Sequence, residues 1–197
     1  MKGKVPRTYG IMEEALNEIN AEREIGDPKH RSCYKGASIV GYMMELRKLI
    51  GTRPIIMAGA CVIVRNEKGH LLLQKRSDSL DWGTIGGALE LGESFEEAAE
   101  RELFEEAGLT ADRFKFVTVL SGKDMYYKYP HGDEVYNALV VFEAEGVRGE
   151  PVVNDEEGLE LAYFPPDQPI PNLNPVSEKI LTKAGYIRNT EQVDETR

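Results

Sequence analysis

The carboxylates between Gly86 and Leu109, in GGALELGESFEEAAERELFEEAGL, are the residues of this chain best suited to chemistry. The second half of this segment has the periodicity of a helix. At about 100° per residue, Glu102 and Glu106 fall inside the apolar arc of that helix, and Glu105 lies at its edge. The apolar arc consists of Phe95, Ala98, Ala99 and Leu103. Solvation explains the glutamates on the outer face, but it does not explain Glu102 and Glu106.

Glu102 and Glu106 are four residues apart, which makes them neighbours on a helix surface. Partial burial of two like charges raises a pKa or requires a counter-charge, and a divalent cation meets both needs. Carboxylate ligation suits Mg²⁺ or Mn²⁺, with the remaining positions filled by water and by substrate phosphate. The preceding glycine-rich stretch would let the backbone approach such a cation. An ordinary acidic helix, in a protein of formal net charge −10, has the same periodicity.

Local signals define the ends of the acidic helix. Ser94 followed by Glu97 forms a capping box, and Gly108 is placed to end the helix in a left-handed conformation. We therefore predict a helix over Ser94–Ala107.

Strand-like segments surround this helix. From Ile55, the sequence IIMAGACVIVRNEKGHLLLQKR holds two apolar runs separated by the turn signal NEKG, which predicts a hairpin. Further strands are predicted over Phe114–Leu120, Glu134–Glu143 and Leu159–Phe164, and a last helix over Pro175–Ala184. Strands that enclose a helix in this order favour an α/β sandwich.

The length of 197 residues suits one main domain with an added arm. The pattern predicts an N-terminal helical extension over 1–52, a main domain over 53–187 and a flexible tail over 188–197. The extension contains two predicted helices, over Tyr9–Glu24 and from about Ser38 to Ile50. Three uses are open to this arm: it can cover a substrate cleft, build a homodimer interface or pack on the sheet.

Composition excludes several classes of partner. A net charge of −10 argues against broad contact with the backbone of a nucleic acid. The chain lacks an apolar run long enough for a signal peptide or a membrane span. Its two cysteines, Cys33 and Cys61, do not form a metal-ligand pattern or a disulfide framework. We expect a reduced, cytoplasmic setting and no membrane partner.

The spacing from Gly87 to Leu109 resembles the Nudix box, GX5EX7REUXEEXGU with U aliphatic, at every defined position. The chain is similar to this family from about Ile55 to Ala184. The resemblance implies a Nudix-type α/β/α sandwich with a mixed β-sheet. It also implies hydrolysis of a nucleoside diphosphate linked to another moiety, by attack of water on phosphorus with the help of Mg²⁺ or Mn²⁺.

The resemblance also assigns roles to residues in the box. The implied metal ligands are Glu102, Glu105, Glu106 and the carbonyl of Gly86. The implied structural residues are Gly87, Glu93, Arg101 and Gly108, with Glu93 and Arg101 paired to fix the loop against the helix. Glu102 is the first candidate for the general base and Glu157 the second, and Asp155 and Glu156 compete for the place of Glu157.

Two further features concern the loop and the substrate. Ile85 stands where many family members have proline, so we expect a small change in loop stiffness or metal geometry.

The candidate substrate-binding residues are Trp82, Arg76, Tyr126 and Tyr127. The leading substrate is a small nucleotide, a nucleoside diphosphate sugar or alcohol such as ADP-ribose. Alternatives are an oxidised nucleoside triphosphate, a dinucleoside polyphosphate, and a non-catalytic module that senses nucleotides.

Overall fold

The computed structural model describes residues 41–188, which contain three α-helices and eight β-strands. The helices are α1 (Tyr42–Ile50), α2 (Phe95–Ala107) and α3 (Pro175–Lys183). The strands are β1 (Ile55–Ile63), β2 (Leu71–Arg76), β3 (Trp82–Gly83), β4 (Ile85–Ala88), β5 (Arg113–Leu120), β6 (Tyr126–Lys128), β7 (Glu134–Glu145) and β8 (Gly158–Phe164). The helix predicted over Tyr9–Glu24 and the tail beyond 188 lie outside the described residues, so the proposed domain boundaries stay predictions.

The strands form two sheets. The larger sheet has the order β4-β1-β7-β5, and β6 also pairs with β7. This sheet is mixed, because β1 and β7 run parallel while the other neighbours are antiparallel. The smaller sheet has the order β3-β2-β8 and is antiparallel throughout.

The core occupies both faces of the larger sheet. Successive side chains of a strand point to opposite faces, so Val62 packs with Leu103 of α2 while Ile63 packs in a second cluster with Leu181 of α3. The two helices therefore cover opposite sides of β1. This layering confirms the predicted α/β/α sandwich with a mixed sheet.

The predicted hairpin between β1 and β2 is only partly formed. The amide of Gly69 donates to the carbonyl of Asn66 at 2.8 Å, and Arg65 and Leu71 form an antiparallel bridge. The amide of Leu72 also donates to the carbonyl of Val64 at 2.9 Å, and beyond that bond the strands part, β1 to the larger sheet and β2 to the smaller one. Both strands contain continuous buried runs, as strands covered on both faces do. The hairpin prediction is therefore right about the turn and wrong about the partners of the strands.

Helix α2 has the ends that the sequence predicts. The amide of Glu97 donates to Ser94 Oγ at 3.2 Å, and the amide of Ser94 donates to the carboxylate of Glu97 at 2.9 Å. Gly108 follows the helix with a left-handed φ of 66°. The buried residues of α2 are Ala98, Ala99, Leu103, Glu106 and Ala107. Helical geometry thus places one glutamate, Glu106, among the packed side chains.

Helix α1 precedes the larger sheet and ends at Ile50, directly before Gly51, as the sequence predicts. Residues 38–40 of the predicted helix lie outside the described part of the chain. None of the residues of α1 is buried, and Arg47 is the side chain that links it to the sheet. Within residues 41–188 no helix has both the length and the apolar character needed to span a membrane.

Candidate active site

Glu106 is the most deeply buried carboxylate of the box. Glu106 is 2% exposed, and its Oε2 accepts a hydrogen bond from the amide of Gly86 at 2.9 Å. Burial raises the pKa of Glu106 well above its usual value, and the charge of Glu102 raises it further, against the lowering effect of the Gly86 amide. Glu106 therefore either stays protonated or needs a cation beside it.

Glu102 lies one helical turn before Glu106 and beside the same loop. Its side chain is 13% exposed. Burial raises the pKa of Glu102 to about 7, although the neighbouring Arg101 acts in the opposite direction. A Cβ at Gly87 would overlap Oε1 of Glu102, so glycine at this position makes room for the carboxylate. The loop backbone and the two glutamates thus share one small region.

Arg101 joins three glutamates with its guanidinium group. Nε and Nη2 donate to the two carboxylate oxygens of Glu93 at 2.6 and 3.0 Å, and Nη1 donates to Glu102 at 2.7 Å and to Glu105 at 3.1 Å. Hydrogen bonds from Arg101 hold the pKa of Glu93 below its usual value. Nη2 also donates to the carbonyl of Ala88 at 3.0 Å, which ties the loop to the helix. The side chain of Glu105 is 52% exposed and lies at the solvent edge of this group.

The entrance to the loop is fixed by burial and strand pairing. Ile85 is completely buried in the cluster beneath α2 and pairs with Val62 of β1. Gly86 has a φ of 138°, and a Cβ there would overlap the carbonyl oxygen of Ala60. The isoleucine side chain therefore anchors the position where a proline ring is usual. Its effect on metal geometry stays a prediction.

The segment before β8 brings a further acid to the site. Glu157 is exposed, and its main-chain carbonyl accepts from the amide of Ser77 at 2.8 Å. Its charge acts on both Glu102 and Glu106, which places it on the side of the buried carboxylates. Asp155 Oδ1 accepts from two following amides, at 3.0 and 3.1 Å, and so stabilises the turn, while the charge of Asp155 also acts on Glu106.

Arg76 lies at the end of β2 near the same loop. Its Nε and Nη2 donate to the two carboxylate oxygens of Asp78, both at 2.9 Å. The stem of Arg76 packs over Gly83, where a Cβ would lie 3.4 Å from Cδ. The charge of Glu106 acts on Arg76. The guanidinium of Arg76 is therefore paired with Asp78 and within electrostatic reach of Glu106, and its role in substrate binding stays a prediction.

Tyr129 belongs to the sequence cluster of Tyr126, Tyr127 and Tyr129, of which only the first two are among the candidate substrate-binding residues. It lies in the turn between β6 and β7, and its ring meets that of Tyr127 edge-on at 4.9 Å. Burial raises the pKa of Tyr129, while the charge of Arg76 lowers it and that of Glu157 raises it. The cluster of tyrosines around 126–129 was the only sequence signal for this residue.

The structure places two predicted substrate-binding residues elsewhere. Trp82 is 9% exposed, and its ring packs edge-on against Phe164 at 4.8 Å within the core. The hydroxyl of Tyr126 donates to Glu134 at 2.8 Å, and its ring lies beside Tyr136. The choice of Trp82 as a candidate substrate-binding residue is corrected, because the core already covers its ring.

The donor set fits a hard divalent cation. Between residues 41 and 188, no group of three or more His, Cys, Asp or Glu side chains is arranged as a cage that could hold a metal ion. Mg²⁺ does not require such a cage, because it keeps several waters and binds through one or two carboxylates and substrate phosphate. Glu102 and Glu106 provide two largely buried carboxylates with raised pKa values, next to the backbone of Gly86 and Gly87.

The fold and the acidic loop–helix unit define a class of protein. The sequence model of the NUDIX domain matches residues 56–184, a range that includes both sheets, α2 and α3. The chain belongs to the Nudix hydrolase family. Members of this family generally use divalent metal ions.

Three known proteins illustrate the likeness. The chain is 32% identical over 130 residues to the NAD-capped RNA hydrolase NudC of Haemophilus influenzae, covering 63% of this chain and 45% of that protein. It is 46% identical over 72 residues to a Bacillus subtilis protein provisionally named an 8-oxo-dGTP diphosphatase, covering 36% and 44%. The chain spans less than half the length of these two relatives. The fold of this chain is also similar to the crystal structure of the MutT NUDIX hydrolase of Burkholderia pseudomallei. The TM-score is 0.53 and the sequence identity 27%, and the alignment covers 66% of this chain and 96% of that one.

Proposed function

We propose that this chain is a hydrolase that depends on Mg²⁺ or Mn²⁺ and cuts the diphosphate linkage of a small nucleotide. The observation that carries the proposal is the burial of Glu102 and Glu106 beside the loop of Gly86 and Gly87. Two adjacent buried carboxylates disfavour the folded protein unless a cation or a proton balances them. A site that binds a cation next to a glycine loop suits an anionic phosphate substrate.

Each acidic residue has a role in this proposal. Glu102 and Glu106 would hold the cation, with the carbonyl of Gly86 and the more exposed Glu105 as further ligands. The bound cation would neutralise phosphate charge and lower the pKa of a water molecule. Glu102, which lies beside Glu106 and the backbone of Gly87, is our first candidate for the general base. Glu157 is the second candidate.

The substrate class that we favour is a nucleoside diphosphate sugar or alcohol such as ADP-ribose. Arg76 offers a cationic group and Tyr129 an aromatic group on the side of the carboxylates. The relative named for NAD-capped RNA supports a diphosphate linkage, because NAD carries a diphosphate between two nucleosides. The net charge of −10 favours a small nucleotide over an RNA chain.

An oxidised nucleoside triphosphate is the second candidate substrate. The 46% identity to the Bacillus subtilis protein, over 72 residues, supports it. Both candidates contain a phosphoanhydride and need the same carboxylates. The two candidate substrates differ in the part of the molecule that is not cut, so they require different contacts to that part.

Turnover of a substrate panel by matched variants tests the proposal. The panel contains ADP-ribose, nucleotide sugars, CDP-alcohols, dinucleoside polyphosphates and 8-oxo-dGTP, each with Mg²⁺ or Mn²⁺. We expect Glu106→Gln to abolish turnover while its circular dichroism matches the wild type. The control is Glu100→Gln, the same change on the exposed face of α2, which should leave turnover intact.

Two results would overturn the proposal. Undiminished turnover by Glu106→Gln would contradict the assignment of Glu106 as a metal ligand. Tight binding of one nucleotide by the wild type without hydrolysis of any panel member would identify a sensor instead of an enzyme.

A further inference from the structure

Helix α1 lies outside residues 56–184, the range that matches the NUDIX domain, yet it contacts two segments of the site. At its first turn it contacts Glu90, in the loop between β4 and α2. At its last turn Arg47 contacts the turn between β6 and β7, which carries Tyr129. One short helix thus links two segments that are far apart in the sequence.

The first contact is a helix cap supplied by the loop between β4 and α2. The residue before α1 is Gly41, which does not provide a side-chain cap. Both carboxylate oxygens of Glu90 instead accept from the amide of Tyr42, at 3.1 and 2.9 Å. A carboxylate at a helix N-terminus is also favoured by the helix dipole. The structure therefore uses a loop glutamate where a local cap is usual.

Glu90 belongs to the same hydrogen-bonded network as Glu102 and Glu105, two of the predicted metal ligands. Its amide donates to Oε2 of Glu93 at 2.9 Å, and the amide of Glu93 donates back to its carbonyl at 3.1 Å. Glu93 accepts from Arg101, which also donates to Glu102. A chain of hydrogen bonds through Glu90, Glu93 and Arg101 therefore connects α1 to a predicted metal ligand.

The second contact positions the turn between β6 and β7. Arg47 Nε lies 3.1 Å from Asp133 Oδ2, and Nη2 donates to the carbonyl of Glu134 at 2.9 Å. The side chain of Arg47 is 11% exposed. Nη1 also donates to the carbonyl of Arg53 at 2.7 Å, which holds the end of α1 against the start of the sheet. The carbonyl of Asp133 accepts from the amide of Tyr129 at 2.8 Å, so Arg47 fixes the base of that turn.

We propose that α1 is a positioning element for the site, with Glu90 and Arg47 as its positioning residues. Glu90 sets the loop that leads into α2, and Arg47 sets the turn that carries Tyr129. The catalytic consequence rests on the proposed function. The coupling itself is a property of the folded chain and is measurable without substrate.

Glu90→Ala in the full-length chain tests the loop contact. We expect faster amide exchange over residues 86–93 and Mn²⁺ affinity lower by about tenfold, the usual effect of losing a group that orients metal ligands. We also expect kcat to fall while KM changes little. Glu90→Gln keeps an acceptor oxygen for the Tyr42 amide and should restore most of the affinity.

Arg47→Ala tests the turn contact. We expect faster exchange over residues 129–134 and a raised KM with kcat retained, because this turn carries Tyr129, which under the proposed function contacts the substrate. The matched control is Lys48→Ala, which removes the exposed ion pair with Glu45 on the same helix and reaches neither segment. Lys48→Ala should match the wild type in all these measurements.

Wild-type exchange rates in both segments, together with wild-type Mn²⁺ affinity in Glu90→Ala, would overturn the inference. If the wild type neither binds Mn²⁺ nor hydrolyses a nucleotide, the proposed function fails. The exchange measurements still decide whether α1 positions the loop and the turn.

Discussion

The amide of Gly86 donates to Oε2 of Glu106 at 2.9 Å, across 20 residues of sequence. This bond ties the start of the glycine loop to the last turn of α2. It also places the buried carboxylate beside backbone that lacks side chains. The geometry of the loop and the ionisation of Glu106 are therefore linked, and changing either residue changes the surroundings of the other.

Alanine substitutions at Gly86 and Gly87 should separate folding from metal binding. Gly86→Ala places a Cβ against the backbone of Ala60 at a φ of 138°, so we expect a loss of stability of about 1–3 kcal/mol or more. Gly87→Ala instead overlaps the flexible end of Glu102, so the fold should persist while Mn²⁺ affinity falls. Thermal unfolding and calorimetric titration with Mn²⁺ measure the two effects. Equal loss of stability in both variants would contradict the distinction.

The raised pKa values predict how the stability of the metal-free protein depends on pH. A carboxyl group whose pKa is higher in the folded than in the unfolded state stabilises the fold below its unfolded value, and that contribution is lost as pH rises through the folded value. For Glu102 these values are 4.5 and about 7. We therefore expect the free energy of unfolding in EDTA to fall between about pH 5 and about pH 8. Urea unfolding at a series of pH values measures this.

Glu102→Gln is the control for the pH prediction. The glutamine cannot ionise, so stability in this variant should depend less on pH over the same range. Saturating Mg²⁺ should reduce the fall in the wild type, because the cation balances the carboxylates. A metal-free wild type whose stability rises with pH through 7 would contradict the assignment of a raised pKa.

The acidic helix could be predicted from the sequence because its signals are local. The capping box of Ser94 and the C-terminal Gly108 mark its ends, and the helical period separates Glu106 from the solvated glutamates. The residue spacing of the box is equally local, so the family could be predicted from it, and the match to the NUDIX domain confirms that prediction.

The partners of the strands could not be predicted in the same way. A continuous buried run such as that of β1 shows that both faces are covered, but it does not show which strand lies beside it. Similarly, nothing local distinguishes Trp82, which is covered by Phe164, from Tyr129, on which the charges of Arg76 and Glu157 act. The aromatic assignments therefore required the tertiary structure.

The core position of Trp82 gives a test of its corrected role. Trp82→Ala should cost about 3–5 kcal/mol of unfolding free energy, the usual range for removing a buried aromatic side chain. Trp82→Phe keeps an aromatic ring against Phe164 and should leave the nucleotide KM unchanged. This is the only tryptophan in the chain, so its native emission should be blue-shifted and should shift to the red on unfolding. A raised KM in a stably folded Trp82→Phe variant would show that Trp82 does contribute to substrate binding.

Tyr129 and Tyr126 give the sharpest comparison for substrate binding. Tyr129 is subject to the charges of both Arg76 and Glu157, so we expect Tyr129→Ala to raise the KM for a nucleotide substrate. The increase should be about tenfold, since stacking of a base on an aromatic ring contributes about 1–3 kcal/mol. Tyr126→Phe removes only the hydroxyl that donates to Glu134, on a different part of the sheet. Steady-state kinetics of the two variants on the same substrate should therefore show a raised KM for Tyr129→Ala alone. A raised KM for Tyr126→Phe alone would instead assign substrate binding to Tyr126.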